Sequence, residues 1–313
     1  MKHLERALDG QNQFWKYLVN FLAAFIGGNL VGSIPLVIVI IVKTIEAGGA
    51  ITPNPDNYAD LTVFGITANL GLFLMMLPLV AGLFTCIALL RPLHNRSFAE
   101  VVNGTKQIRW QRVFTGFGIW FLLYALYLGI SYAFNPDNFV FQFEISAFIP
   151  LLLISIFIMP LQTTFEELMF RGYLGQGIGA WTRNRWLVMI IPALLFGLMH
   201  SANPEVKEYG FWVAMPQYIL FGLVFGLTTV LDDGIEISMG VHAANNIFAA
   251  LFITNKSSVL QTPAVFNQQT VDAKMETLAL LFMSVVLIVA LTIIYQWDFK
   301  TLNKKVEKTQ IQS

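Results

Sequence analysis

The sequence predicts an all-α fold, a polytopic membrane helix bundle of about eight transmembrane helices with both termini in the cytoplasm. Three observations carry that prediction. Of 313 residues, 56% are hydrophobic and 12% charged, whereas a soluble domain carries about 25% charged residues; the mean hydropathy is +0.64. Apolar runs of about 20 residues, enough to cross the hydrocarbon as helix, recur along the chain. Basic residues are concentrated in alternate connections, as expected where cytoplasmic loops are enriched in Lys and Arg.

The first run, about residues 17–43, is too long for a signal-peptide core and lacks a small-x-small cleavage site, so it reads as a retained helix. Further spans are expected over about 61–90, 113–134, 146–170, 186–203, 210–231, 235–253 and 277–296. Lys2, Arg6 and Lys16 precede the first span; the loop after it carries Glu46, Asp56 and Asp60. The second loop holds Arg91, Arg96, Lys106, Arg109 and Arg112, the third only Asp137 and Glu144. Arg171, Arg183 and Arg185 follow the fourth span, and Lys300, Lys304, Lys305 and Lys308 follow the last. An even number of spans fits this alternation, although Lys256 and Lys274 run mildly against it.

Acids and bases balance at 19 each, so no basic surface suggests nucleic acid. The single cysteine, Cys86, lies in an apolar run and reads as packing, with neither a disulfide framework nor a cysteine metal site available. Gly28-x-x-x-Gly32 and Gly222-x-x-x-Gly226 are patterns that let spans approach closely. Pro160 and Pro192 each fall within a span, where they free a carbonyl and permit a kink. The loops are too short for a soluble domain, so function must reside in the bundle.

Polar groups inside the apolar runs then become the question. The stretch "TTFEELMFR", Thr163 to Arg171, places Glu166, Glu167 and Arg171 at membrane depth, where an ionised group costs about 2.5–3.5 kcal/mol even on the insertion scale. Thr163-x-x-Glu166 or Thr164-x-x-Glu167 would serve as a capping box at a helix start. Glu167 and Arg171 are four apart and suited to an ion pair, while Glu166 points about 100° away and is left free. His200 ends "PALLFGLMH", and His242 lies four residues before Asn246 in "SMGVHAANN", one turn apart on one face. Counted from the span ends, Glu166, His200, His242 and Asn246 reach overlapping depths and can share a polar chamber in the cytoplasmic half.

Such a set suits hydration of a carbonyl. A glutamate and a histidine can hold and deprotonate a water, and His242 with Asn246 can donate to the oxyanion. Glu166, His200 and His242 equally suit the three-ligand set of catalytic Zn2+. No H-E-x-x-H or G-x-S-x-G is present; a Ser238–His242 dyad is spaced correctly but leaves both glutamates without a role.

Glu166-Glu167-x-x-x-Arg171, Phe196-x-x-x-His200 and His242-x-x-x-Asn246, in this order on successive spans, resemble the CPBP family, which comprises type II CAAX prenyl endopeptidases and bacterial Abi-type membrane proteases and bacteriocin-immunity proteins. The resemblance implies an intramembrane endopeptidase core over residues 146–253, between an N-terminal three-span region, 1–145, and a last span with a basic tail, 254–313. It implies that Glu166 and His200 activate water, that His242 and Asn246 stabilise the oxyanion, and that Glu167 and Arg171 organise the first motif helix. The family has been described both as metallo- and as glutamate-dependent, so both alternatives stay open. The implied partners are the bilayer and a peptide or protein substrate, prenylated or otherwise lipidated ones included, in a bacterial inner membrane with the chamber opening to the cytoplasm. Two other classes share these residues: an idle scaffold or immunity protein of the same fold, and a proton- or ion-coupled transporter using Glu and His as a relay. The complete motif set argues against the first, and the absence of repeated halves against the second.

Overall fold

The structure is a computed structural model that describes residues 2–49 and 60–308. Asp56 of the acidic first loop lies outside the described residues. The chain order is α1 (Phe14–Glu46), α2 (Ala68–His94), a short α3 (Phe98–Asn103), α4 (Trp110–Phe134), β1 (Phe139–Phe141) and α5 (Ile145–Thr182). It continues through α6 (Arg185–Met199), a short α7 (Pro204–Tyr209), α8 (Phe211–Asp232), α9 (Glu236–Phe252), β2 (Ile253–Thr254), β3 (Phe266–Gln268) and α10 (Ala273–Tyr295).

Each apolar run read from the sequence is a helix, and the molecule is a polytopic helical bundle. Among the described residues six helices are long and apolar enough to cross a membrane: α1, α2, α4, α5, α8 and α10. The expected eight spans are reduced because α6 and α9 have only 15 and 17 residues, about 22–26 Å at 1.5 Å per residue, against about 30 Å of hydrocarbon. The second span begins at Ala68 rather than near 61, because Gly65 adopts φ +70°, a left-handed conformation that ends the preceding turn. Thr67 then caps the helix through Leu70 N–H.

Lipid-facing and core helices differ in composition of exposure. The side chains of Leu30, Val31, Ile34 and Ile38 on α1, and of Phe282 and Ile293 on α10, are exposed, which suits a hydrocarbon environment rather than water. α9 is central and almost entirely buried, with α4 along one side and α5 and α8 along others. Glycines set these approaches. A side chain at Gly240 would strike the Val113 carbonyl of α4. Gly222 and Gly226 press α8 against Ala193 and Met189 of α6, where an added Cβ would lie 2.7 Å and 2.9 Å from its neighbours. Gly28 and Gly32 likewise meet α2 at Gly82 and Pro78, as the spacing suggested. Cys86 is buried, as expected of packing.

α5 bends where the sequence placed Pro160: the helix turns at Ile158 and resumes at Met159. Residues Leu168–Leu174 then run as a π-helical segment, a form often found at functional sites. No capping box forms at Thr163 or Thr164, because this helix passes through them without a start; Thr163 Oγ1 instead donates to the Pro160 carbonyl at 3.3 Å.

The helix directions place both termini at one end of the bundle. Arg185 binds Glu5 at 2.6 Å, Val306 N–H binds the Arg183 carbonyl at 3.1 Å, and Lys2 N–H binds Asp233 at 2.6 Å. The opposite end carries a small sheet in the order β1-β3-β2, in which Val140 pairs antiparallel with Asn267 and Ile253 pairs parallel with Phe266.

Candidate active site

α5 contributes three of the motif residues, and the bend and π-helical segment decide how they point. Glu167 is fully buried and Arg171 Nη1 donates to its Oε1 at 3.1 Å, the ion pair expected from their spacing. The Arg171 guanidinium also lies over the rings of Phe196 (4.4 Å) and Phe225 (5.1 Å) and donates to the Gly222 carbonyl at 3.3 Å. Aromatic faces and a carbonyl thus stabilise a buried cation.

His242 on α9 lies between the two carboxylates. Its Nδ1 is 2.8 Å from Glu167 Oε1, and its Nε2 is 3.4 Å from Glu166 Oε2. The ring stacks on Phe225 at 5.1 Å and meets Phe196 edge-on at 5.9 Å. Glu166 is therefore not left free, as the helical wheel suggested: α9 crosses α5 where both carboxylates reach one imidazole. The Ser238–His242 dyad does not form, since both ring nitrogens face glutamates and Ser238 Oγ donates to the Ile235 carbonyl at 2.8 Å.

Glu166 is further oriented by a chain of amides. Trp120 Nε1 of α4 donates to Asn245 Oδ1 (3.2 Å), Asn245 Nδ2 to Asn246 Oδ1 (3.2 Å), Asn246 Nδ2 to Gln162 Oε1 (3.3 Å), and Gln162 Nε2 to Glu166 Oε1 (2.9 Å). An indole N–H can only donate, so it sets the direction of every amide after it. Asn246 thus lies beside the glutamates as expected, while Gln162, Asn245 and Trp120 are residues that sequence reasoning missed. Gln162 carries a signal, being four residues before Glu166 on the same face. Trp120, on a helix outside every motif, carries none.

His200 ends α6. Its Nδ1 is 2.7 Å from the Phe196 carbonyl and its ring stacks on Tyr218 of α8 at 4.6 Å. Donation from Nδ1 to that carbonyl leaves Nε2 as an acceptor. Glu166, His200, His242 and Asn246 all line one cavity of about 880 Å³. The expected shared chamber is present.

Its direction differs from expectation. The cavity runs from these residues to the end of the bundle away from both termini, reaching Asp60, Glu144 and the 254–263 loop. A cytoplasmic location for both termini and a cytoplasmic mouth therefore cannot hold together. Depth counted along single helices located the chamber but not its open side, which depends on how the loops pack. At the mouth, Glu205 of α7 accepts Val259 N–H at 2.7 Å; burial raises its carboxyl above the ordinary value, which this bond offsets only in part.

Glu166, His200 and His242, the alternative zinc set, line this cavity together. Among the described residues no group of His, Cys, Asp and Glu side chains is arranged as a ready metal site. Glu166 and His242 are in contact with each other, while His200 is committed at Nδ1 to its own helix.

Comparison with known proteins agrees with the motif pattern. Residues 145–248 match the family described as type II CAAX prenyl endopeptidase Rce1-like. An uncharacterized protein of Bacillus subtilis, YyaK, is 33% identical over 266 residues, which cover 83% of this chain and 84% of that protein. No solved structure matches. With the three motifs on successive helices, their residues around one membrane-embedded cavity and these similarities, the chain belongs to the type II CAAX prenyl endopeptidase Rce1-like family.

Proposed function

We propose that this chain is an intramembrane endopeptidase of a bacterial cell membrane, hydrolysing a peptide bond of a membrane-associated peptide or protein, lipidated substrates included. The observation that carries the reading is the line Glu166–His242–Glu167, which runs from the cavity wall to the buried Glu167, with 3.4 Å between Glu166 Oε2 and His242 Nε2. Glu167, paired with Arg171, accepts the Nδ1 proton of His242 and so orients the ring with Nε2 toward Glu166.

A water bonded to Glu166 transfers one proton to that carboxylate as its oxygen attacks the substrate carbonyl carbon, and the carbonyl electron pair moves onto oxygen. The proton is shared with His242 Nε2, where the imidazolium is stabilised by Glu167 and donates to the oxyanion. Asn246 uses one amide N–H on Gln162 and retains the second for the same oxyanion. The shared proton then passes to the leaving nitrogen as the C–N bond breaks. His200, with Nε2 as acceptor on the same cavity, supplies a second base for the water.

The test compares wild type with Glu166→Gln in nanodiscs against a panel of lipidated and unlipidated peptides. Cleavage is expected to fall by about 10²–10⁴-fold, with accumulation and helicity unchanged and wild-type turnover resistant to zinc chelation. Full cleavage by Glu166→Gln would reject the mechanism, whereas no cleavage of any peptide by wild type would return the idle-scaffold reading. Loss on chelation, restored by zinc, would replace it with a metalloenzyme.

A further inference from the structure

The bases divide unequally between the two ends of the bundle. Of 19 Lys and Arg residues, Lys43, Lys207, Lys256 and Lys274 lie at the end where the cavity opens, and Arg171 lies inside. All the others lie at the end that carries both termini, in loops short enough for the orientation rule to apply. That end is therefore cytoplasmic.

It is also sealed from the chamber. Arg109 joins Glu236, which is fully buried, at 2.6 Å and Asp232 at 3.2 Å, and Asn103 donates to the same glutamate. Between this latch and Glu166 lie Phe170 and Phe225, both buried. The cavity lining includes no residue from the loops of the terminal end, whereas it includes Asp60, Glu144, Lys256 and Gln268 from the other.

We infer that the chamber is loaded from the extracytoplasmic side of the membrane. Resting on the peptidase reading, its substrate is then a polypeptide segment exposed on the outer face, and a C-terminus confined to the cytosol does not reach Glu166. The orientation itself stands independently of that reading.

The chain suits a direct test because Cys86, its single cysteine, is buried. Lys256→Cys places an exposed thiol at the mouth and Lys305→Cys one at the terminal end, both on exposed residues. Intact cells are treated with a membrane-impermeant maleimide, before and after permeabilisation. Labelling of Lys256→Cys in intact cells and of Lys305→Cys only after permeabilisation is the expected result. The reverse pattern, or equal labelling of both in intact cells, overturns the inference. In a second arm an impermeant peptide that the detergent-solubilised enzyme cleaves is offered to spheroplasts and to sealed inside-out vesicles. Cleavage by spheroplasts alone is expected, and cleavage by vesicles alone overturns the assigned substrate side. Absence of cleavage even in detergent counts against peptide hydrolysis, while the labelling result decides orientation by itself.

Discussion

The two ends of this bundle spend their polar groups differently. At the terminal end, charges mostly bind protein groups: Arg109 reaches Glu236, Asp232 and, through Nη2, the Asp233 carbonyl, Trp297 Nε1 donates to Asp232 at 3.1 Å, and Arg96 donates to Tyr17, Gln176 and the Ala7 carbonyl. Burial works against the Arg109 charge, but Glu236, Asp232 and Asp233 outweigh it and raise its pKa. At the opposite end the polar groups face a cavity and several remain available to a ligand, among them Nε2 of His200 and one amide proton of Asn246. The first arrangement closes a bundle, and the second leaves room for chemistry. Charge pairs at the first end hold segments together, whereas donors and acceptors that face the cavity at the second can meet a ligand.

The largest expected effect separates the ends directly. Arg109→Ala leaves Glu236 buried without its cation, and breaking such a pair costs about 3–5 kcal/mol. Thermal unfolding in detergent and accumulation in the membrane are expected to suffer together, whereas Glu166→Gln is expected to remove activity and spare both. Equal destabilisation by the two variants would break the contrast.

A smaller effect is expected at the mouth. Glu205→Ala removes the acceptor of Val259 N–H, a bond worth about 1–3 kcal/mol. Limited proteolysis within residues 254–265 should accelerate while the bundle's unfolding midpoint stays close to wild type, because the loop opens locally. A global loss of stability would mean that this end is not independent of the latch.

The smallest effect is a pH dependence at the terminal end. Burial disfavours the Glu100 charge, but hydrogen bonds from Ser97 and attraction to Arg6 prevail, and its carboxyl titrates below the ordinary range. A depressed folded-state pKa contributes stability above the unfolded value and loses it as pH falls through the lowered one. For a partly exposed pair this is about 1 kcal/mol or less. The difference in unfolding midpoint between wild type and Glu100→Gln is expected at neutral pH and to close in acid; a gap that persists in acid would assign it to lost packing.

Much of the molecule was legible in the chain, for reasons that differ by residue. Run length and composition found each apolar helix, since hydrocarbon admits little else. The glycine patterns at 28–32 and 222–226 identified close crossings because an absent Cβ has that one use there. Glu167 and Arg171 were paired correctly because both lie on one helix, where spacing dictates neighbourhood. Contacts between helices were not legible in that way. That His242 joins both glutamates, that Trp120 begins the amide chain to Glu166, and that His200 lines the same cavity all depend on where α4, α6 and α9 cross α5. The sequence by itself determined a membrane bundle with a Glu, His and Asn chamber, because bilayer cost and helical periodicity act locally. Only the tertiary structure decided which carboxylate meets which nitrogen and at which end the chamber opens, because those depend on distances between segments far apart in the chain.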